Sequence, residues 1–242
     1  MIQLFNPRPR VEVLEPVPGL RCLVLDDVLL EPESLVTYAA RAALDAPEGN
    51  LYPGQVAGLS AEFDARLRDF FWQHARGPLG LRRCLAAFVR LSLATTPPAQ
   101  LQPLQWLCHR DRIDDDAPDA MFAASVLYLF RDPALGGTRF FVPRSPAHEL
   151  AALFRDAETL APADFSARHG VPPGYPAAQS AHFDCVLTVP AAWNRMIIYD
   201  GSCYHSAAID HPERLSDDPA QGRLTVNGFF PCRRPAAAAR PA

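Results

Sequence analysis

The sequence sets a histidine and an aspartate two residues apart in Cys108-His109-Arg110-Asp111-Arg112. In an extended strand that spacing turns both side chains the same way, and an imidazole with a carboxylate can bind a divalent transition metal. A third ligand is still needed, and Tyr204-His205-Ser206 supplies an imidazole 96 residues later. Two imidazoles and one carboxylate on one face of a metal form a triad that leaves positions open for reactants. By itself His109-x-Asp111 is unremarkable in an Asp-rich chain with 7 histidines, and a solvated loop explains it as well. The Asp114-Asp115-Asp116 run beyond it reads as a solvated loop rather than a cation site. His-Arg-Asp also opens the catalytic loop of protein kinases. That pattern needs Asn five positions after its Asp, where Asp116 stands, and neither a Gly-rich loop nor Asp-Phe-Gly accompanies it.

A second chemical pair lies downstream of His205. In Arg223-Leu224-Thr225-Val226-Asn227 the two-residue period of a strand puts Arg223 and Thr225 on one face. A guanidinium fork beside a hydroxyl suits a buried carboxylate, held by charge-assisted hydrogen bonds. The plain alternative is an edge-strand arginine in a surface ion pair. The otherwise apolar strand argues for the buried role.

The elements that must position these groups follow from periodicity and punctuation. Val11 to Leu14 and Arg21 to Leu25 are short β-prone runs broken by Pro16, Pro18 and Gly19, an entry hairpin. Glu31-Pro32 opens a helix with Leu35, Val36, Ala39 and Ala43 on one face, ending near Pro47 and Gly49. Asn50 to Gly54 is turn chemistry. A second helix from Ser60, its N-cap, to Arg76 aligns Phe63, Leu67, Phe70, Phe71 and His74. His74 at the end of an aromatic stripe reads as packing, not as a ligand. After Gly77-Pro78 only strands are expected: Cys84 to Leu93, Leu104 to Asp111, Met121 to Phe130, Thr138 to Val142, Trp193 to Asp200, Cys203 to Ile209 and Gly222 to Phe230. Helices first and strands afterwards indicate an α+β chain, mainly β. The stretch 143–190 interrupts the strands with one helical run, His148 to Arg155, and reads as an insertion or lid. His148, His169 and His182 in it are candidates to reach a substrate, as exposed loop histidines also would be. Trp106, Arg139, Phe141, Trp193 and Tyr199 lie near the motifs, with core packing as the alternative.

Bulk properties narrow the classes. With 242 residues and 49% hydrophobic content the chain can bury one full core, taken as a single domain over 1–232. Its 23 basic residues, all Arg, and 27 acidic ones are dispersed, without the basic stripe a phosphate backbone attracts, so no nucleic acid is expected. Six cysteines without a Cys-x-x-Cys indicate neither a zinc ribbon nor a disulfide scaffold. No run approaches a membrane span and the N-terminus carries no leader pattern, so a soluble cytoplasmic protein is expected. The Pro-, Ala- and Arg-rich tail 233–242 is expected to be disordered.

Taken in order, the motifs are His109-Arg110-Asp111, Val126-Leu127-Tyr128-Leu129, Gly136-Gly137-Thr138-Arg139-Phe140-Phe141, Asn194 to Asp200 leading to His205, and Arg223-Leu224-Thr225. Over 104–230 this succession resembles the Fe(II)- and 2-oxoglutarate-dependent oxygenases, particularly their prolyl-hydroxylase-like branch and an uncharacterised bacterial group within it. The resemblance implies a double-stranded β-helix, jelly-roll-like, with 1–103 and its helices as support. It implies that His109, Asp111 and His205 hold Fe(II), and that Arg223 and Thr225, joined by Tyr128, bind the distal carboxylate of 2-oxoglutarate. Hydroxylation of a small-molecule, amino acid or peptide substrate with dioxygen, releasing succinate and carbon dioxide, is the implied outcome. Because Asp111 fills the carboxylate position, the related halogenases are disfavoured. Two other readings stand beside it: a facial-triad oxygenase that does not use 2-oxoglutarate, and a barrel that binds metal or ligand without catalysis.

Overall fold

The computed structural model describes residues 3–47, 49, 51–111, 117 and 119–235. Two antiparallel sheets face each other. The larger carries β1 (Arg10–Val17), β2 (Leu20–Asp26), β3 (Gly54–Gly58), β4 (Arg83–Cys84), β5 (Phe88–Ala94), β6 (Ala120–Tyr128), β9 (Arg195–Asp200) and β11 (Arg223–Arg233), in the order β1-β2-β9-β6-β11-β5-β3 with β4 also on β11. The smaller has β7 (Thr138–Pro143), β8 (Phe183–Val189) and β10 (Tyr204–Ala207) in the order β10-β7-β8. A single antiparallel bridge from His109 to His205 adds one more segment beside β10. From β5 onward the chain alternates between sheets: β5 large, His109 small, β6 large, β7 and β8 small, β9 large, β10 small, β11 large. That alternation is the winding of a double-stranded β-helix, within a mixed α+β chain that is mainly antiparallel β.

Burial alternates along the strands as the two-residue period requires. Leu23, Leu25, Leu91, Leu93, Ala123, Leu127, Met196, Ile198, Leu224 and Val226 turn to one face of the large sheet. There they meet Leu35 and Ala39 of α1 (Pro32–Ala39) and Phe63, Leu67, Phe70, Phe71 and Ala75 of α2 (Ala61–Ala75). The Phe71 and Phe230 rings stack at 3.9 Å. Cys22, Val24, Ala124, Tyr128, Ile197 and Tyr199 turn the other way, towards Phe140 and Val189 of the small sheet. Outside the small sheet, α3 (Ala147–Thr159) and α4 (Pro162–His169) pack Leu150, Leu153 and Phe165 against Phe141, Phe183 and Trp106. The large sheet is thus backed by one helical layer and the small sheet by another.

Local expectations hold where the sequence signal is local. Ser60 caps α2, its hydroxyl accepting from the Phe63 N–H at 3.2 Å. His74 packs against Phe70, 4.5 Å between ring centres, and burial lowers its pKa. Other boundaries move. The first helix stops at Ala39, well before Pro47. β3 occupies part of the stretch read as turn and linker, because pairing with β5 supplies partners that its short, glycine-flanked sequence does not advertise. Cys84 to Leu93 splits into β4 and β5. The His-x-Asp stretch is not a regular strand: Pro103–Trp106 is a 3-10 turn, and only His109 makes a bridge. Residues 143–190 contain α3, α4 and also β8, a strand of the small sheet. At the end of the chain Arg233 still pairs in β11; residues 236–242 and the Asp114-Asp115-Asp116 run lie outside the described residues.

Candidate metal centre and its cavity

The two halves of the motif meet through the backbone. The His109 N–H donates to His205 O at 2.9 Å and the His205 N–H donates to His109 O at 2.8 Å. Two residues on, the Asp111 N–H donates to Gly201 O at 2.8 Å. Gly201 has a steric reason: a Cβ there would lie 2.9 Å from Asp111 Cβ and 3.0 Å from its Oδ2. One nitrogen of each histidine and one oxygen of Asp111 lie within 4.8 Å of one another. His205 Nε2 is 3.5 Å from Asp111 Oδ2, and His109 Nε2 is 3.9 Å from Asp111 Oδ1.

Their protonation suits metal binding. His205 Nδ1 lies 2.9 Å from the Cys203 carbonyl, which can only accept. Nδ1 therefore carries the proton and Nε2 presents its lone pair to the cluster. Burial lowers the His205 pKa to about 4. The enclosing protein, and then the His205 ring, lower His109 as well, although its side chain opens onto the cavity. Burial raises the Asp111 carboxyl against the attraction of His109 and Arg90, and its Oδ2 is buried without a hydrogen-bond partner. An orphaned carboxylate oxygen between two neutral imidazoles is costly in an empty site and fits a cation.

The cluster borders a cavity of about 970 Å³ between the sheets, walled by Leu107, Val126, Phe154, Tyr175, Tyr204 and Phe229 among others. The helix α3 contributes Ala147, Leu150, Ala151 and Phe154 to that wall. Arg223 also lines the cavity and is buried. Its Nε donates to the carbonyls of Leu135 and Gly136 at 3.0 and 3.2 Å, and Nη2 to that of Gly137 at 2.8 Å. This cradle needs the glycine pair. A Cβ on Gly136, whose φ is 80°, would sit 1.8 Å from Ala208 O, and one on Gly137 would sit 1.9 Å from Val189 O. Three guanidinium N–H groups, one on Nη2 and two on Nη1, make no bond to those carbonyls.

Thr225 and Tyr128 are opposite each other on β11 and β6 and are buried, but neither lines the cavity. Thr225 Oγ1 donates to Ser92 O at 3.3 Å, and the Tyr128 hydroxyl is 2.8 Å from Thr138 Oγ1. A residue that sequence reading passed over takes a place there. Tyr52, on the segment entering β3, lines the cavity; burial raises its pKa, opposed by the Arg223 charge and a hydrogen bond with Thr225. Its only sequence signal is an aromatic within a Tyr-Pro-Gly turn.

The softer candidates divide. Tyr199 lines the cavity with its ring 4.8 Å from His205. Phe141 and Trp106 are core, and Trp193 lies under the Arg131 guanidinium at 4.0 Å. Arg139 points elsewhere, donating to Pro176 O and Asp210 Oδ2. His169 and His182 serve the helical layer: His169 pairs with Asp156 at 2.9 Å, and His182 lies 3.1 Å from Ser145 Oγ. Neither lines the cavity, nor does His148.

A double-stranded β-helix that brings three candidate metal ligands together is the class these features define. Residues 7–230 match the model of a family of unknown function (DUF6445), and the chain belongs to that family. No curated protein matches it. Among solved structures the chain is similar to a Pseudomonas putida prolyl-4-hydroxylase, with 17% identity over 85% of this chain and 86% of the other and a TM-score of 0.40. It is also similar to HygX from Streptomyces hygroscopicus, solved with nickel, 2-oxoglutarate and hygromycin B bound: 14% identity, 87% and 82% covered, TM-score 0.47. The non-heme alpha ketoglutarate dependent epimerase SnoN from nogalamycin biosynthesis gives 14%, 90% and 82%, and 0.38. Among the described residues no helix is long and apolar enough to cross a membrane.

Proposed function

We propose that the chain is an Fe(II)- and 2-oxoglutarate-dependent dioxygenase that hydroxylates or otherwise oxidises a C–H bond of an amino acid, peptide or other small molecule. The observation that carries this is the convergence of His109, Asp111 and His205 within 4.8 Å at the wall of a largely apolar cavity. When bound, iron and 2-oxoglutarate would supply the activation of dioxygen, with succinate and carbon dioxide as co-products.

The chain's own residues supply placement. The carbonyl of Cys203 keeps the proton on His205 Nδ1, which leaves the Nε2 lone pair free to hold a metal. The remaining Arg223 N–H groups would take the distal carboxylate of 2-oxoglutarate in a charge-assisted fork, with the hydroxyls of Tyr52 and Thr225 beside it. Tyr128 supports that end indirectly, by fixing Thr138. Leu107, Val126 and Phe154 exclude water from the reacting centre.

A second reading has one observation in its favour. The bonds from Arg223 to three backbone carbonyls would also suit a purely structural arginine, in a facial-triad oxygenase without 2-oxoglutarate. Anaerobic titration of metal-free protein with Fe(II), then 2-oxoglutarate, separates the two. A visible charge-transfer band on the second addition, absent in His109→Ala, supports the proposal. Iron binding without the band favours the second reading, and no iron binding removes both.

A further inference from the structure

Beside the candidate metal ligands the cavity carries a cation that no acid contacts directly among the described residues; Asp111 attracts it only from a distance. Arg90 on β5 stands opposite Asn227 on β11, and both line the cavity. Its guanidinium carbon lies 5.5 Å from the ring centres of both Tyr52 and Phe229, so two aromatic faces hold it. Among the described residues Arg90 makes no ion pair or hydrogen bond, and its Nε is buried without a partner. Asn227 repeats the pattern. Its Nδ2 donates to Ser92 Oγ at 3.1 Å, which fixes the amide, while its Oδ1 is buried without a partner.

An orphaned N–H and an orphaned carbonyl side by side in one cavity each cost free energy unless something fills both. A stacked arginine serving only as packing explains the cation–π contacts, but not the Asn227 oxygen. The surroundings add a third element. Phe88 stands opposite Phe229, which also stacks on Phe122 at 6.1 Å, and Phe88 is 60% exposed. An aromatic surface thus runs outward from Arg90, and Leu51, on the cavity wall, is 61% exposed.

The geometry points to Arg90 and Asn227 as the head-group site for the substrate, a carboxylic acid with an adjacent N–H or O–H and an apolar or aromatic body. The carboxylate would sit on the Arg90 fork and the neighbouring donor on Asn227 Oδ1, with the body over Phe229, Phe122 and Phe88. One guanidinium matches one negative charge; a dianionic phosphate would leave excess charge near Asp111. This deepens the oxygenase reading and rests on it only for the word substrate.

The test uses N-acetyl-L-phenylalanine and its amide, two probes that differ only in the head group, an anionic carboxylate against a neutral carboxamide. Binding of each to the Fe(II)- and 2-oxoglutarate-loaded protein is measured anaerobically by saturation-transfer NMR. The acid should bind tighter than the amide by roughly tenfold or more. In Arg90→Met that preference should disappear, and Arg90→Lys should restore part of it. The 2-oxoglutarate midpoint of the charge-transfer band, read on the same variants, should stay in place and shows that they fold. Equal binding of acid and amide, or a preference that survives Arg90→Met, overturns the inference. So does a 2-oxoglutarate midpoint that moves in Arg90→Met and not in Arg223→Met, for then Arg90 serves the cosubstrate. If the band never forms while the Arg90-dependent preference persists, the 2-oxoglutarate reading fails and the acid-binding site stands.

Discussion

The two faces of β11 have opposite characters. On one, Leu224, Val226, Phe230 and Cys232 are fully buried against the helical layer. On the other, Arg223, Thr225, Asn227 and Phe229 look between the sheets, where polar groups are buried in positions that a core would fill with apolar ones. A face that only stabilises needs volume and apolar area. A face that does chemistry accepts orphaned donors and acceptors, and their cost is recovered when a ligand arrives. The contrast teaches where to look for function in this fold: in polar groups that packing alone does not explain.

Five substitutions set the two faces against each other. In the site, His205→Ala leaves two of the three candidate ligands. The stabilisation of the parent by Fe(II), about 2.7 kcal/mol at a hundredfold excess over Kd, should vanish in thermal melts while the metal-free melt changes little. On the opposite face Phe230→Ala removes the ring stacked on Phe71. It should cost about 3–5 kcal/mol in denaturant unfolding and leave the 2-oxoglutarate midpoint of any surviving folded protein unchanged. A cost below about 1 kcal/mol would mean the helical layer does not anchor the sheet.

Arg223→Met should raise the 2-oxoglutarate needed for the charge-transfer band roughly 10- to 100-fold, the worth of charge-assisted hydrogen bonds. It should also lower stability, since the carbonyls of Leu135, Gly136 and Gly137 lose their donor. A loss of stability with no change in midpoint would make Arg223 structural. The smallest effect distinguishes two tyrosines. Tyr52→Phe should shift the 2-oxoglutarate midpoint severalfold, the scale of one hydrogen bond of about 1 kcal/mol. Tyr128→Phe should leave it in place, because that hydroxyl is used by Thr138; the reverse result would exchange their roles.

The three candidate ligands were legible because few residue types bind such a metal and the order of motifs singled out His109, Asp111 and His205, which the fold brings within 4.8 Å. The basis of that reading was only partly right. The pair His109 and Asp111 does not lie on a regular strand; the His109 bridge to His205 and the Asp111 bond to Gly201 orient it instead. The end of the cavity proposed to bind a carboxylate was half legible. Arg223 stands out in an apolar strand, whereas Tyr52 lies 171 residues away in sequence and reaches the cavity only because β3 pairs with β5. Tyr128, conspicuous in the sequence, has its hydroxyl turned to Thr138. In 143–190 proline, glycine and histidine obscured β8, whose pairing with β7 includes a register shift between Phe140 and Phe141.

Local sequence sets the alternation of apolar residues that makes two-faced strands, the helical stripe of α2 with its Ser60 cap, and the residue types able to hold a metal. These are local: side-chain direction follows from a period of 2 or 3.6 residues, whatever the distant surroundings. Tertiary structure alone decided which polar groups share one cavity. Arg90 and Asn227 are 137 residues apart in sequence and direct neighbours across two strands. Strand register, set by the whole sheet, made them neighbours, and no local periodicity encodes that.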